Sequence, residues 1–202
     1  MRDLYIKIDK DIIPQLPRYA FDGRIVVVQS EEEANRAVRA LRTAPMIGID
    51  TETRPAFKRG EMHKVALLQI ATEEICFLFR LNQMGLPAAL VELLSDKNVL
   101  KLGLSLHDDF MMLSRRNSQL QPAGYIDLQN YVKEMGIGDL SLQKLYANVF
   151  GKRISKSARL SNWEADVLTD AQKVYAATDA VTCIHLYKEL KTLKESGEYR
   201  LV

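Results

Sequence analysis

Short apolar runs of strand length come early in this chain and then alternate with segments of helical periodicity. The candidate strands are Arg24–Val28, Met46–Thr51, Val65–Ala71, Ile75–Leu81 and Val99–Leu104. Helical patterns cover residues 31–45, 84–95, 108–116, 125–150 (broken at Gly136 and Gly138) and 169–195. Because a sheet and amphipathic helices each need a partner for their apolar face, this order predicts one mixed α/β domain with its sheet between helices.

Local signals fix some of these boundaries. Ser30 followed by Glu33 is a capping box, so we expect a helix to begin there. Pro14 and Pro17 punctuate residues 1–22, which we interpret as an irregular N-terminal extension ahead of a domain over residues 23–202.

Composition excludes several classes of protein. Apolar residues make up 47% of the 202 residues and charged residues 27%, as in ordinary globular domains. No run approaches the ~18 apolar residues that a membrane span requires, and the N-terminus does not resemble a secretion signal. The two cysteines, Cys76 and Cys183, form no CxxC pair, so we expect a reducing cytoplasm without structural zinc or disulfides. The net charge of +2 does not by itself indicate nucleic-acid binding.

Carboxylates follow an apolar strand at Ile47–Thr53. Asp50 and Glu52 are two residues apart, so they point to the same side of the strand. Two like charges this close repel unless a cation lies between them. The pair is therefore either a metal site or a solvated strand end.

Two further acidic motifs come later in the chain. Asp108 and Asp109 follow the strand at residues 99–104 and open a helix, where acidic residues are common because of the helix dipole. Tyr175 and Asp179 are four residues apart and share a face of the last helix. An aspartate in a largely apolar helix needs a partner.

Together the three motifs resemble the DEDDy subgroup of 3′–5′ exonucleases, the family that includes ribonuclease D and the exonuclease domain of the Werner syndrome protein. The resemblance extends over about residues 24–192. It includes three supporting stretches as well as the carboxylates: Lys64–Ile70, Leu142–Leu145 with Phe150–Lys152, and Ser161–Trp163 with Leu168–Ala180. It implies a ribonuclease H-like fold, with a mixed central sheet flanked by helices.

The second motif contains two adjacent aspartates, Asp108 and Asp109, and only one of them can be the functional residue. Family members usually carry Lys-Val-Gly-Val-Gly-Ile-x-Gly-Asp here, and an ungapped match to Lys101 and Gly103 places the functional aspartate at Asp109. Asp108 and Ser105 then stand where glycines are common. We favour Asp109 over Asp108.

The resemblance implies hydrolysis of DNA or RNA from the 3′ end with release of nucleoside 5′-monophosphates. Two Mg²⁺ or Mn²⁺ ions would be held by Asp50, Glu52, Asp109 and Asp179, with Asp50 shared between them. Tyr175 would orient the attacking water, because a tyrosine with a pKa of ~10 is protonated at neutral pH.

Substrate contacts are predicted from charge and position. Candidates for the nucleic-acid site are Thr51, His107, Phe110, Lys152, Arg153, Lys156, Arg159 and Trp163, together with Lys58, Arg59 and Lys64 beside the first motif. Each cation could instead be ordinary solvated charge. Trp163 could stack on a base or pack its loop against the last helix, and Met111 and Met112 are predicted to be core residues.

Two other functions remain open from the residues. One is a catalytically silent nucleic-acid-binding module on the same fold, although none of the five motif positions is missing. The other is a two-metal phosphohydrolase acting on small molecules. The sequence shows no second domain, so we expect a stand-alone exonuclease; it does not indicate the oligomeric state or the choice between DNA and RNA.

Overall fold

A computed structural model of the chain describes residues 1–58 and 60–202. Seven α-helices lie in these residues: α1 (Glu31–Leu41), α2 (Leu81–Met84), α3 (Ala88–Ser95), α4 (Leu106–Ser114), α5 (Leu128–Glu134), α6 (Leu142–Phe150) and α7 (Asp170–Ser196). The strands are β1 (Arg2–Leu4), β2 (Arg24–Val28), β3 (Met46–Glu52), β4 (Leu67–Ala71), β5 (Ile75–Arg80), β6 (Leu100–Gly103), β7 (Tyr125–Asp127) and β8 (Tyr199–Leu201). None of the helices described is long and apolar enough to cross a membrane.

Six strands form one mixed sheet in the order β2-β5-β4-β3-β6-β7. Strand β4 runs antiparallel to its neighbours β3 and β5, and the other pairs are parallel. Because β3 and β6 are parallel neighbours, the residues that follow them leave the sheet at the same end. The sheet topology therefore brings the first and second carboxylate motifs to the same end of the sheet, where β3 and β6 finish.

Helices cover both faces of this sheet. On one face, α1, α3 and α4 pack on the apolar side chains of β3, β4 and β5, including Ile49, Leu68 and Phe79. On the other face, α7 packs on alternate residues of the same strands, such as Leu67 and Leu78. Helices α5 and α6 pack beside α7 around Leu145 and Leu190. The predicted sheet between helices is confirmed.

Helix α7 lies against β3 with almost no space between them. A Cβ added at Gly48 would lie 2.0 Å from the carbonyl oxygen of Ala180. The stripe predicted for this helix is buried throughout: Ala176, Ala180, Cys183, Tyr187 and Leu190. This close packing holds the third carboxylate motif directly over the first.

Most predicted elements are confirmed, and the capping box at Ser30 is present. The segment 125–150 differs most, because it divides into β7, α5 and α6 rather than one broken helix. The helix predicted at 84–95 is α3, which begins at Ala88, after the short helix α2 has ended at Met84. Both cysteines are free and buried.

The N-terminal segment is not irregular throughout, contrary to the prediction. Strand β1 pairs in parallel with β8 near the other end of the chain, and Leu4 is fully buried. A short 3₁₀ helix follows at Ile13–Gln15. The segment is therefore packed on the domain, and local sequence patterns could not show a partner strand that lies almost 200 residues away.

Candidate active site

Strand β3 places two carboxylates over the sheet, beneath α7. Asp50 and Glu52 lie on the α7 side of β3 because side chains alternate along a strand and Gly48, two residues earlier, faces Ala180. Glu52 is 9% exposed and Asp50 is only partly exposed.

Asp179 completes a compact group with these two residues. It lies in the middle of α7, is 8% exposed, and is adjacent to the small residue Ala180 that touches β3. Oxygen atoms of Asp50, Glu52 and Asp179 all lie within 4.8 Å of one another. Three carboxylates at such distances form a set of hard oxygen ligands suited to a divalent cation.

Asp109 approaches the group from the first turn of α4. The Thr51 hydroxyl donates a hydrogen bond to the Asp109 carboxylate, which is partly buried. Asp108 is exposed and accepts a hydrogen bond from the Ser105 hydroxyl at 3.1 Å. The geometry thus favours Asp109 as the fourth carboxylate, in agreement with the ungapped motif.

The turn before α4 explains how Asp109 is positioned. Ser105 has a φ of 63°, in the left-handed region that glycine adopts more readily, and this accounts for the glycine that is common there in the family. The Asp127 carboxylate accepts hydrogen bonds from the backbone N–H groups of Ser105 and Leu106 at 3.1 and 2.9 Å. Asp127 therefore caps α4 from β7.

Sequence reasoning missed Asp127. A signal was present, because Asp127 directly precedes a segment with a helical pattern, and an aspartate there is a typical helix cap. Asp127 caps α5 in this way, because its carboxylate accepts a hydrogen bond from the Gln129 N–H at 2.9 Å. Its contact with α4 depends on the pairing of β6 with β7, which no local pattern shows.

Burial raises the pKa values of all four carboxylates, and for Asp50 and Glu52 the neighbouring negative charges add to this effect. Burial, and then the charges of Asp109, Asp179 and Glu52, hold the pKa of Asp50 well above its usual range. Burial and the neighbouring aspartates raise the pKa of Glu52 to about 9. Burial raises the pKa of Asp179 to about 7 and that of Asp109 to about 6. Together these raised pKa values indicate that the protein alone supplies too little positive charge to stabilise all four carboxylates in their ionised form.

Tyr175 lies one turn before Asp179 on α7 and faces the same carboxylate. Burial, and then the negative charges of Asp179 and Glu52, raise the pKa of the Tyr175 phenol well above its usual value. The Tyr175 hydroxyl is therefore protonated at neutral pH and can donate a hydrogen bond.

A cavity of about 240 Å³ opens beside the cluster. Its lining includes Tyr175 and Asp179 together with two of the predicted substrate cations, Lys156 and Arg159. The Arg159 charge also lowers the pKa of Glu52. These two cations and the carboxylates thus share one space.

Several predicted substrate residues lie elsewhere. The Arg153 side chain binds the N-terminal segment, because its Nε donates a hydrogen bond to the Leu16 carbonyl at 3.0 Å. Lys152 is exposed and does not line the carboxylate cavity. Lys58 and Lys64 are exposed in the loop after Glu52, and Arg59 lies outside the described residues.

Trp163 cannot stack on a base, because its side chain is fully buried against Tyr175 with a ring separation of 6.0 Å. Its alternative role, packing its loop against the last helix, is the one observed. Phe110 is 4% exposed and packs on Tyr125. His107 and Phe110 line a separate hollow on α4, and Met111 is 46% exposed rather than a core residue.

A protein-family model described as 3′–5′ exonuclease matches residues 25–194. Mouse (Mus musculus) bifunctional 3′–5′ exonuclease/ATP-dependent helicase WRN is 32% identical over 89% of this chain, which spans 13% of that protein. A 3′–5′ exonuclease from Arabidopsis thaliana is 30% identical over 89% of this chain and 68% of its own length. Human exonuclease 3′–5′ domain-containing protein 2 is 30% identical over 83% of this chain, which spans 29% of it.

Solved structures share the same fold. The Nibbler EXO domain of Aedes aegypti superposes with a TM-score of 0.80 at 21% identity, over 90% of this chain and 94% of that one. Escherichia coli RNase D superposes with a TM-score of 0.75 at 21% identity, over 87% of this chain and 46% of that one. The mixed sheet and its helices are therefore a ribonuclease H-like fold, and the chain belongs to the 3′–5′ exonuclease family of nuclease hydrolases.

Proposed function

We propose that this chain is an active, metal-dependent exonuclease that shortens a DNA or RNA strand from its 3′ end and releases nucleoside 5′-monophosphates. The observation that carries the proposal is the convergence of Asp50, Glu52 and Asp179 within 4.8 Å, with Asp109 beside them. A silent binding module would have no need for four mutually repelling carboxylates in one partly buried place.

The donor set fits two divalent cations. Every candidate ligand is a carboxylate oxygen, which suits Mg²⁺ or Mn²⁺ rather than softer metals. Asp50, Glu52 and Asp179 would hold one ion, and Asp50 and Asp109 the other. When bound, such a pair supplies an activated water and stabilises the charge on the leaving oxygen.

The residues of the chain have distinct roles in this proposal. Tyr175 remains protonated, so its hydroxyl donates a hydrogen bond that orients the attacking water or a phosphate oxygen. Thr51 fixes the rotamer of Asp109 through its hydroxyl and does not need to touch the substrate. Asp127 fixes α4, and with it the position of Asp109.

Lys156 and Arg159 are proposed to bind the phosphate backbone. Both line the cavity that holds Tyr175 and Asp179, and neither takes part in an ion pair with any residue that the structure describes. Positive charge next to the carboxylates compensates part of the repulsion between them and an anionic strand. Such contacts give affinity without sequence preference.

The proposal is tested by digestion of a 5′-labelled oligonucleotide with Mg²⁺ and with Mn²⁺, as single-stranded DNA, recessed duplex DNA and RNA. We expect a ladder of progressively shorter labelled fragments that disappears when EDTA is added. Immediate release of a labelled mononucleotide would show the opposite polarity. Digestion that continues in EDTA would refute metal dependence.

A further inference from the structure

A second cavity adjoins the carboxylate cavity across Tyr175. It measures about 240 Å³, and its lining includes Arg18, Tyr19, Ser155, Ser157, Tyr175 and Thr178. Ser155 and Tyr175 belong to both cavities. The volume is below the roughly 300–1,000 Å³ that encloses a drug-sized ligand, so the second cavity suits a fragment such as a sugar–phosphate unit.

One wall of this cavity is the N-terminal segment, which is fastened on both sides. The Tyr19 N–H donates to the Arg153 carbonyl at 2.8 Å, and the Arg153 N–H donates to the Pro17 carbonyl at 3.0 Å. The Phe21 N–H donates to the Thr178 hydroxyl at 3.0 Å, one residue from Asp179. Residues 17–21 are therefore held at a fixed position relative to the carboxylates.

Arg18 is the cation that this segment contributes. Its side chain is exposed and forms no ion pair with the described residues. Asp170 also lines the cavity, but its carboxylate pairs with Lys173 at 3.1 Å and not with Arg18. Arg18 also precedes the part of the chain that the family model matches, residues 25–194. Its contribution to the cavity is thus a feature of this chain's own N-terminal segment.

The count of phosphates identifies what Arg18 would bind. A released nucleoside 5′-monophosphate has a single phosphate, and that group is the one that reacts at the carboxylates. A cation and hydroxyl groups in a separate, adjoining cavity can therefore meet only a phosphate that remains on the strand. This step rests on the proposed function.

We propose that Arg18, with the Ser155 and Ser157 hydroxyls, forms a subsite for a backbone phosphate on the 5′ side of the scissile bond. The two serine hydroxyls are hydrogen-bonded to each other at 2.9 Å, so one of them donates within the pair and the other keeps its proton to donate to an anion beside Arg18. A planar guanidinium and hydroxyl donors suit phosphate oxygens and do not read the base. The N-terminal segment thereby sets how firmly the remaining strand is held between successive cleavages.

The test combines Arg18→Gln with substrates that lack one charge. Each 5′-labelled oligonucleotide carries a neutral methylphosphonate at one of the three linkages 5′ of the scissile bond, in whichever of DNA or RNA is degraded faster. We expect Arg18→Gln to raise KM about five- to tenfold with kcat nearly unchanged. At one of the three linkages, the neutral group should raise the KM of the wild type by a similar factor. At that same linkage it should not raise the KM of Arg18→Gln any further.

The matched control is Arg24→Gln, which removes the same charge six residues later. Arg24 is exposed at the start of β2, the edge strand separated from β3 by β5 and β4. Its KM should stay at the wild-type value, and Arg18→Lys should restore most of the affinity lost in Arg18→Gln. Equal KM values for Arg18→Gln and Arg24→Gln would overturn the proposal. So would a neutral group that raises KM by the same factor in the wild type and in Arg18→Gln at all three linkages.

Two readouts separate this subsite from the proposed function. Inhibition by a nucleoside 5′-monophosphate should be unaffected by Arg18→Gln, and weaker inhibition would assign the cavity to the product instead. Equilibrium binding of the labelled strand in Ca²⁺ should lose about one unit of salt slope in Arg18→Gln. Suppose that the wild type binds the strand, that Arg18→Gln lowers the salt slope as expected, and that the wild type does not cleave the strand. That result would refute the proposed activity and support the subsite.

Discussion

At the scale of single residues, Asp108 and Asp109 show how one side chain is selected for the site. Asp109 is hydrogen-bonded to Thr51 and its charge acts on Asp50, whereas Asp108 is exposed. We expect Asp109→Asn to lower kcat at least about a hundredfold, because a ligand of the proposed metal pair is lost. Asp108→Asn should retain most of the turnover. Steady-state kinetics with melting curves checks both variants, and the reverse ranking would contradict the assignment.

Tyr175 is predicted to donate a hydrogen bond rather than accept a proton. Tyr175→Phe should therefore reduce kcat by about 10- to 100-fold while the alkaline side of the pH–rate profile keeps its shape. The pKa of this phenol is raised by burial and by Asp179, so it does not titrate between pH 6 and 9. An ionisation that disappears from the profile in Tyr175→Phe would instead identify the tyrosine as a base.

The carboxylates and Tyr175 could be predicted from the sequence because strand and helix periods place them on shared faces and because the three motifs together resemble those of a known exonuclease family. The substrate residues were only partly predictable, because tertiary packing decides which side chains face the site. Lys156 and Arg159 line the carboxylate cavity as predicted, whereas other candidates do not. Trp163 is buried under its own loop, and Arg153 bonds to the Leu16 carbonyl. Arg18 lies in a segment without any recognisable motif.

At the scale of elements, the contact between β3 and α7 positions three of the four carboxylates. Gly48→Ala would place a Cβ 2.0 Å from the Ala180 carbonyl oxygen, so the helix must move away from the strand. We expect a loss of roughly 1–3 kcal/mol in the free energy of unfolding and a large drop in turnover. Urea unfolding measures the first quantity.

The control for this prediction is Gly138→Ala, where the nearest atom would be 3.3 Å from the new Cβ. There the neighbouring Ile6 carbonyl has to shift by only a few tenths of an ångström, so the free energy of unfolding should fall less than in Gly48→Ala and turnover should change little. If both variants behave alike, the position of α7 does not depend on the small residue at 48.

Element boundaries were predictable where a local signal exists. Helix α7 begins within a residue of its predicted start because Thr169 and Gln172 form a capping box. The segment 125–150 was not resolved correctly, because β7 is only three residues long and its strand character comes from pairing with β6.

At the scale of the whole molecule, the carboxylates make stability depend on pH in an unusual direction. The folded-state pKa values of Asp109, Asp179 and Glu52, at about 6, 7 and 9, all exceed their usual values. The folded protein therefore holds more protons than the unfolded chain from about pH 4 upward, and stability falls as pH rises through this window.

In EDTA, we expect the melting temperature to drop by roughly 5–10 °C between pH 5 and pH 8. Asp179→Asn should show a smaller drop, since one titrating charge is removed, and Mg²⁺ should offset the drop in the wild type. Differential scanning calorimetry makes the comparison. A melting temperature that rises over this range in EDTA, equally in both proteins, would contradict the raised pKa values.

The overall architecture was predictable because strands and helices alternate with clear periodicity. The pairing of β1 with β8 was not predictable, because each strand is only three residues long and the two lie near opposite ends of the sequence. The N-terminal segment consequently belongs to the folded domain, where it forms one wall of the Arg18 cavity.

The central claim is that the carboxylate cluster is a metal-dependent centre for 3′–5′ hydrolysis. Its most direct test is the rate at which Asp50→Ala shortens a 5′-labelled oligonucleotide in Mg²⁺, compared with the wild type in equally tag-free, nuclease-free preparations. We predict a loss of at least about a thousandfold with the fold intact, because removing one charge also relieves repulsion among the others. A variant that melts like the wild type and shortens the strand at the wild-type rate would contradict the account.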